Sequence, residues 1–171
     1  DRVGAIAAAK ALAPYRLRWF EEPCDPIDFE TCAELARFYE SPLATGENLY
    51  SLQDVKNLAR LGGFRRDHDV IQVDPPQCYG FSYFAGIVAM LRGEGWTTRT
   101  LFPHGGNQMS LALAAGLELG GCEAYPGVFG VFGGYADDAR VENGYITLSD
   151  RPGIGFEGHS ALYKLMQSVP V

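Results

Sequence analysis

The sequence predicts an α/β protein with a parallel sheet, on two observations. Short apolar segments alternate with longer segments of helical character along most of the 171 residues. Each of the first four apolar segments also ends in a carboxylate or an imidazole. Parallel strands need long crossover connections, usually helices, so this alternation favours a parallel sheet whose strands are joined by helices.

The first half of the chain contains three predicted helices and two predicted strands. An Ala-rich helix spans 2–14, and the apolar run 17–21 predicts a buried strand that a proline terminates. A helix over 28–40 leads to a short strand at 43–46. The next helix, from 51 to 61, begins with a capping box in which aspartate replaces the usual glutamate.

The second half continues the same alternation. The β-branched segment 69–74 is the clearest strand, and a helix is predicted over 81–92. A strand over 97–102 and a helix of small residues over 108–117 follow. A further short strand is possible at 122–124. Neither of the Gly-rich nucleotide-binding fingerprints follows any of these strands.

The C-terminal part predicts an extension of loops and one hairpin. Residues 125–137 are rich in glycine and aromatic residues, which is typical of an ordered loop. Alternation around an Asn-Gly pair predicts a β-hairpin over 140–147. A loop at 152–156 precedes a last helix over 160–167.

Composition and charge exclude several classes of protein. Hydrophobic residues make up 47% of the chain and charged residues 20%, which excludes a disordered or low-complexity segment. The net charge of −7 argues against sequence-independent nucleic-acid binding. No apolar run is long enough to span a membrane. The four cysteines form no zinc motif, and we expect reduced thiols in a cytoplasmic protein; they are Cys24, Cys32, Cys78 and Cys122.

The residues that end the predicted strands are the candidates for chemistry. They are Glu21, Glu47, Asp74 and His104, with Glu123 on the possible fifth strand. The carboxyl ends of parallel strands lie on one face of an α/β fold, and active sites lie there too. Clustered carboxylates need a cation or a proton to coexist, and two or three of them with water suit Mg²⁺. An imidazole among them is a candidate acid or base near neutral pH.

Each candidate also has a purely structural interpretation. Glu47 could favour the start of the next helix electrostatically, and Asp74 could be a turn residue before two prolines. Glu21 and Glu22 are adjacent, so at most one of them faces inward on a regular strand. We expect His68 to be a solvated loop residue and His159 to start the last helix. The functional interpretation depends on the joint pattern, because no structural role requires all these groups at successive strand ends.

Five motifs resemble the C-terminal barrel domain of the mandelate racemase and muconate lactonizing group of the enolase superfamily. The resemblance covers essentially the whole chain, and 102–108 with the Gly-rich run to 137 is most similar to the D-tartrate dehydratases. The motifs are WFEEP at 19–23, TGEN at 45–48, IQVD at 71–74, FPH at 102–104 and PGIGFE at 152–157.

The resemblance implies a fold and a set of roles. The fold is the C-terminal part of a TIM-like (β/α)₇β barrel, with about five of the eight strands present and a C-terminal hairpin and loop extension. Glu21 and Glu47 are implied as Mg²⁺ ligands. His104 and Asp74 match a catalytic dyad in which Asp74 orients the imidazole. Glu123 matches a carboxyl that, when protonated, can hydrogen-bond the substrate carboxylate.

Some parts of the family pattern do not occur in this sequence. They are an aspartate that is the first metal ligand, a Lys-x-Lys base and an N-terminal capping domain. We therefore expect 1–171 to be a partial barrel domain from the C-terminal part of a longer polypeptide. We also expect the isolated chain to be inactive.

The function implied for the intact protein is a Mg²⁺-dependent acid-sugar dehydratase, a carbon–oxygen lyase. It would remove the α-proton to give a metal-stabilised enediolate and then eliminate the β-hydroxyl. One alternative is a racemase or epimerase of a 2-hydroxy acid on the same scaffold. Another is an inactive fragment that needs a complementary segment. The expected partners are a small hydroxy acid and further copies of the chain in a homo-oligomer, with no nucleic acid and no membrane.

Overall fold

The structure is a computed structural model that describes residues 1–125 and 127–170. It confirms the α/β class and the helix–strand alternation. Its helices and strands, in chain order, are α1 Arg2–Leu12, β1 Phe20–Glu21, α2 Phe29–Phe38, β2 Leu43–Thr45, α3 Leu52–Leu61, β3 Val70–Ile71, α4 Phe81–Gly93, α5 Gln108–Gly116, β4 Val141–Glu142, β5 Tyr145–Ile146 and α6 Ser160–Gln167. Short 3₁₀ turns occur at Ala13–Tyr15, Thr98–Thr100, Gly130–Phe132 and Phe156–Gly158.

The first three strands form a parallel sheet in the order β1-β2-β3. The pairing continues beyond β3 as a single parallel bridge between Ile71 and Leu101. Two further backbone bonds extend this edge, from the Phe102 N–H to the Ile71 carbonyl (3.0 Å) and from the His104 N–H to the Val73 carbonyl (3.3 Å). The strand ends that carry the candidate residues are therefore aligned side by side.

The helices begin where the sequence supplies caps. Asp28 accepts a hydrogen bond from a backbone N–H in the first turn of α2, and Asn107 does the same for α5. The capping box at α3 is complete, with Ser51 and Asp54 each bonded to the other's backbone N–H. Side-chain caps of this kind contribute about 1 kcal/mol each. These caps confirm the predicted helix starts to within one residue.

The core lies between the sheet and the helices. Sequential helices pack side by side, α1 on α2, α2 on α3 and α3 on α4. Their buried faces meet apolar strand residues that are also inaccessible to solvent. Truncating one such leucine to alanine typically costs 2–5 kcal/mol. The largest fully buried apolar side chains include Leu35, Leu43, Leu58, Ile87, Leu91 and Leu113.

Four predicted strands differ from the structure by more than one residue, and one of them, 69–74, is a strand only at Val70–Ile71. The segment 17–21 is a strand only at Phe20–Glu21. The segment 97–102 starts instead with a 3₁₀ turn, because the Thr97 side chain accepts a hydrogen bond from the Arg99 N–H and turns the backbone. Residues 122–124 form no strand, although the Glu123 N–H bonds to the Pro103 carbonyl (3.3 Å). Glu123 is thus joined to the sheet by one hydrogen bond rather than by a ladder.

The C-terminal extension follows the prediction closely. The hairpin forms with antiparallel pairing of β4 and β5, and the last helix spans Ser160–Gln167. The predicted loop 125–137 contains the 3₁₀ turn Gly130–Phe132, and its position 126 lies outside the described residues. No helix among the described residues is long and apolar enough to cross a membrane.

Candidate active site

The five predicted site residues meet at the carboxyl ends of the strands. Glu21 is the last residue of β1, and Glu47 follows β2 by two residues. Asp74 follows β3, and His104 follows the bridge at Leu101. Glu123 reaches the same place from the loop after α5. The side chains of Asp74, His104 and Glu123 are nearly buried, at 7%, 12% and 13% exposure.

The His104 imidazole is the centre of this cluster. Its Nδ1 lies 2.8 Å from Oδ2 of Asp74 and its Nε2 lies 3.0 Å from Oε2 of Glu47. Oε2 of Glu123 is 3.7 Å from the same Nε2. Asp74 also accepts hydrogen bonds from the backbone and side-chain nitrogens of Gln77 (3.1 and 3.2 Å). The Asp74 carboxylate is therefore fixed, and it fixes the imidazole with Nε2 facing the other carboxylates.

The charges in the cluster affect one another. The hydrogen bond to Asp74 raises the pKa of His104 above its usual value, with support from Glu123 and Glu47, while burial opposes the shift. Burial raises the pKa of Glu47, and the neighbouring Glu21, Glu22 and Glu123 add to this, while His104 lowers it. These shifts favour a proton on the imidazole, whose positive charge would offset the repulsion among the carboxylates.

A second branch of the site links Glu21 to Glu123. The Gln72 side-chain amide lies 3.1 Å from Oε2 of Glu21 and 3.1 Å from Oε1 of Glu123. Oε2 of Glu21 also accepts from the Trp19 indole N–H at 2.8 Å. Oε2 of Glu123 accepts from the Gly105 N–H at 2.9 Å. One hydrogen-bonded network therefore connects Glu21 and Glu123, and the imidazole Nε2 lies between Glu123 (3.7 Å) and Glu47 (3.0 Å).

Backbone geometry brings Glu22 into the neighbourhood as well. Glu22 has a φ of +43°, so the chain leaves strand geometry immediately after β1. Its Oε1 accepts from the Thr45 hydroxyl (2.5 Å) and the Gly46 N–H (3.3 Å). Gly46 must be glycine, because its φ is +139° and a Cβ there would lie 2.8 Å from the Gln72 backbone nitrogen. The close approach of these two strand ends sets the position of Glu47.

Aromatic residues cover one side of the imidazole. The Tyr125 ring meets His104 edge to face, with centroids 5.9 Å apart. Burial and the nearby Glu123 raise the pKa of Tyr125 above its usual value, so its hydroxyl stays protonated. Phe129 packs against Tyr125 in turn. Beside this wall an open cleft of about 340 Å³ is lined by Asp74, Pro76, Gln77, His104, Gly105, Asn107, Phe129 and Phe132.

The predicted metal ligands are the carboxylates of Glu21, at the end of β1, and Glu47, after β2. In the part of the chain that is described, no group of three or more His, Cys, Asp or Glu side chains is arranged to hold a metal ion. Glu21 uses Oε2 for its hydrogen bonds, and Glu47 uses Oε2 for His104. Mg²⁺ is commonly held by one or two carboxylates and several waters. Carboxylate oxygens are chemically suited to Mg²⁺, and the assignment of Glu21 and Glu47 as its ligands stays a prediction.

Sequence reasoning missed Gln72 and Tyr125. Gln72 carried a usable signal, since it is the one polar residue inside the apolar β-branched run of 70–73. Tyr125 carried no such signal, because it lies in a Gly-rich and aromatic loop. The two other histidines behave as expected: Nε2 of His68 lies 3.0 Å from the Glu40 carbonyl, and His159 precedes α6.

Comparison with known proteins decides the family. Residues 1–161 match the family model described as enolase C-terminal domain-like. The chain belongs to this family. The resemblance to the mandelate racemase group of the enolase superfamily, and with it the partial barrel, is confirmed.

Two similar proteins have the names of enzymes. A 3,6-anhydro-α-L-galactonate cycloisomerase from Streptomyces coelicolor is 33% identical over 153 residues, or 89% of this chain and 40% of the relative. An L-talarate/galactarate dehydratase from Salmonella typhimurium is 32% identical over 157 residues, or 91% and 37%. The chain thus spans about two fifths of the length of the relatives it matches.

One solved structure shows what a relative binds. The L-talarate dehydratase from Polaromonas sp. JS666, in complex with Mg and L-glucarate, superposes with a TM-score of 0.72 at 29% identity. The match covers 91% of this chain and 41% of that protein.

Proposed function

We propose that the protein to which this chain belongs is a Mg²⁺-dependent acid-sugar dehydratase. The observation that carries the proposal is the His104–Asp74 pair, 2.8 Å apart and nearly buried, with the carboxylates of Glu47 and Glu123 at 3.0 and 3.7 Å from the imidazole. The similarity to an L-talarate/galactarate dehydratase supports the reaction class. The relative solved with Mg and L-glucarate supports both the metal and an acid-sugar substrate.

His104 is the proposed acid. Asp74 engages Nδ1, so Nε2 is the nitrogen that can face a substrate. A proton on Nε2 would pass to the departing β-hydroxyl group and make it leave as water. Asp74 is the proposed positioning residue, because its negative charge stabilises the protonated ring and its hydrogen bond fixes the ring orientation.

Glu21 and Glu47 are the proposed ligands of Mg²⁺. When bound, the ion would neutralise the negative charge that builds up on the substrate carboxylate as the α-proton leaves. Glu123 is the proposed contact for a substrate carboxylate, to which its carboxyl group would donate a hydrogen bond when protonated. Its position beside the Gly105 N–H and the imidazole Nε2 supports that role.

The substrate class is a hydroxy acid with a hydroxyl group β to a carboxylate. The names of the similar proteins favour talarate, galactarate and related acid sugars. The resemblance of 102–108 to the D-tartrate dehydratases favours D-tartrate in addition. We further propose that the chain forms part of a barrel within a cytoplasmic homo-oligomer, in which residues outside this chain supply the base that removes the α-proton.

The proposal is tested on the protein expressed at the natural length of its gene product. It is incubated in deuterated buffer with MgCl₂ and, in turn, galactarate, L-talarate and D-tartrate, and the products are followed by NMR. Loss of the β-hydroxyl with formation of a keto acid supports dehydration. Deuterium at Cα with the hydroxyl retained would instead indicate a racemase or epimerase. No change in any substrate, with Mg²⁺ bound, contradicts both.

A further inference from the structure

Gln72 has a polar side chain at a buried position among apolar residues. It is 1% exposed and lies between the apolar residues Ile71 and Val73. Its backbone N–H bonds to the Thr45 carbonyl at 2.8 Å, so the backbone belongs to the sheet. An apolar side chain of the same size would fill this space without burying an amide.

The orientation of the Gln72 amide follows from its neighbours. Both side-chain contacts, at 3.1 Å, are with carboxylate oxygens, one on Glu21 and one on Glu123. The amide nitrogen Nε2 faces both oxygens and donates to them, which is the pairing of a donor group with two acceptors. The amide oxygen Oε1 is then buried, with no partner among the described residues. What the amide contributes is therefore its two N–H bonds to the carboxylates.

We propose that Gln72 is a positioning residue that holds Glu21 and Glu123 together through a single amide nitrogen. This inference rests on the proposed function, in which the first carboxylate binds Mg²⁺ and the second contacts the substrate. The bond to Oε2 of Glu21 leaves Oε1 for a ligand. The bond to Oε1 of Glu123 leaves Oε2 beside the Gly105 N–H and the His104 ring. One side chain thus aligns the metal side and the substrate side of the site.

The test is replacement of Gln72 by methionine, which keeps the size and removes both donors. Mg²⁺ affinity is measured by calorimetry with MgCl₂ on the natural-length protein. Loss of a group that orients a metal ligand typically weakens metal binding 10- to 100-fold, and we expect this here. At saturating MgCl₂ we expect the KM for the acid sugar to rise more than kcat falls, because Glu123 loses its alignment.

Gln108→Leu is the matched control. Gln108 is equally buried at 2% exposure, but its amide bonds to the Ile154 carbonyl and the Ala136 N–H, away from the carboxylates. This variant should lower the melting temperature and leave Mg²⁺ affinity unchanged. Gln72→Asn is a second test variant, since its shorter amide cannot reach both carboxylates, and it serves if the methionine variant does not fold.

The outcomes separate this inference from the proposed function. Mg²⁺ affinity within threefold of wild type in a folded Gln72 variant overturns the positioning role, whatever the activity. Equal loss of Mg²⁺ affinity in the Gln72 and Gln108 variants also overturns it, because the effect is then general destabilisation. A 10- to 100-fold loss confined to the Gln72 variants, in a wild-type protein that turns over no acid sugar, supports the positioning role and contradicts the proposed function.

Discussion

Replacing Asp69 by asparagine should lower the free energy of unfolding by about 3 kcal/mol. Asp69 is fully buried, just before β3. Its Oδ1 accepts from the Leu43 N–H (2.8 Å) and from Nη2 of Arg65 (2.6 Å). Its Oδ2 accepts from the backbone N–H and Nε of Arg65 (2.7 and 2.9 Å). The carboxylate therefore joins the start of β2 to the start of β3, whose far ends carry Glu47 and Asp74.

The magnitude follows from what asparagine cannot do. One of the two terminal groups of asparagine is an amide NH₂, which donates hydrogen bonds. In either orientation of the side chain, this NH₂ would face two N–H donors that an oxygen of Asp69 accepts from. The Arg65 guanidinium also loses its counter-charge and one of its two bonds to this side chain, and it keeps its bonds to the Tyr39 and Ser41 carbonyls. Removing one partner of a buried ion pair costs 3–5 kcal/mol. The Arg65 side chain is 31% exposed, so the lower figure of about 3 kcal/mol applies.

The assay is urea unfolding followed by tryptophan fluorescence, with Asp67→Asn as the matched control. Asp67 is exposed, and surface substitutions of this kind change stability by less than about 0.5 kcal/mol. For a chain of this size, 3 kcal/mol corresponds to a fall in melting temperature of about 6–12 °C. If Asp69→Asn and Asp67→Asn unfold within about 0.5 kcal/mol of each other, the claim that Asp69 fixes the strand starts is refuted.

Three further predictions concern other parts of the structure. Gly46→Ala should destabilise the protein by about 1–3 kcal/mol and weaken Mg²⁺ binding, because the Cβ of alanine would meet the Gln72 backbone. An unchanged free energy of unfolding in urea and an unchanged Mg²⁺ affinity by calorimetry would contradict this. Burial raises the pKa of Cys78 to about 11, so iodoacetamide should label Cys24 first and leave Cys78 unlabelled until the protein unfolds. Mass spectrometry measures the labelling, and early labelling of Cys78 would contradict the structure. The Thr31 hydroxyl and N–H lower the pKa of Asp28, so its cap stabilises α2 fully above the ordinary Asp pKa of about 3.9 and is lost as pH falls through the lowered value. Asp28→Asn should therefore remove part of the pH dependence of the melting temperature, and an identical pH profile would argue against that cap.

Local signals predicted most of the fold. The capping box at Ser51, the Asn-Gly turn of the hairpin and the final helix depend on residues close in sequence, and the structure has all three. The segment 97–102 was predicted wrongly, because the Thr97 side chain competes with strand pairing for a nearby backbone N–H. Whether a threonine side chain or a neighbouring strand binds that N–H depends on the local backbone geometry, which cannot be predicted from the residue type alone.

The sequence predicted that the candidate residues lie together, but not how they contact one another. Parallel strands place their carboxyl ends together, and this brings Glu21, Glu47, Asp74 and His104 to one place, whereas Glu123 reaches it from a loop. The contact of Glu47 with His104 and the bridge by Gln72 depend on packing between segments distant in sequence. The left-handed backbone of Glu22, at φ +43°, is likewise set by its bonds to the neighbouring strand end.

The central claim is that His104 is the acid of a Mg²⁺-dependent dehydration, and His104→Asn tests it most directly. Wild type and variant, both at the natural length of the gene product, are assayed for keto-acid formation from the acid sugar that the wild type turns over. Mg²⁺ binding is measured alongside by calorimetry. We expect the variant to lose activity by about 10²–10⁴-fold while Mg²⁺ affinity stays within a few-fold of wild type, because Glu21 and Glu47 remain. Near-wild-type dehydration by the folded variant would contradict the claim.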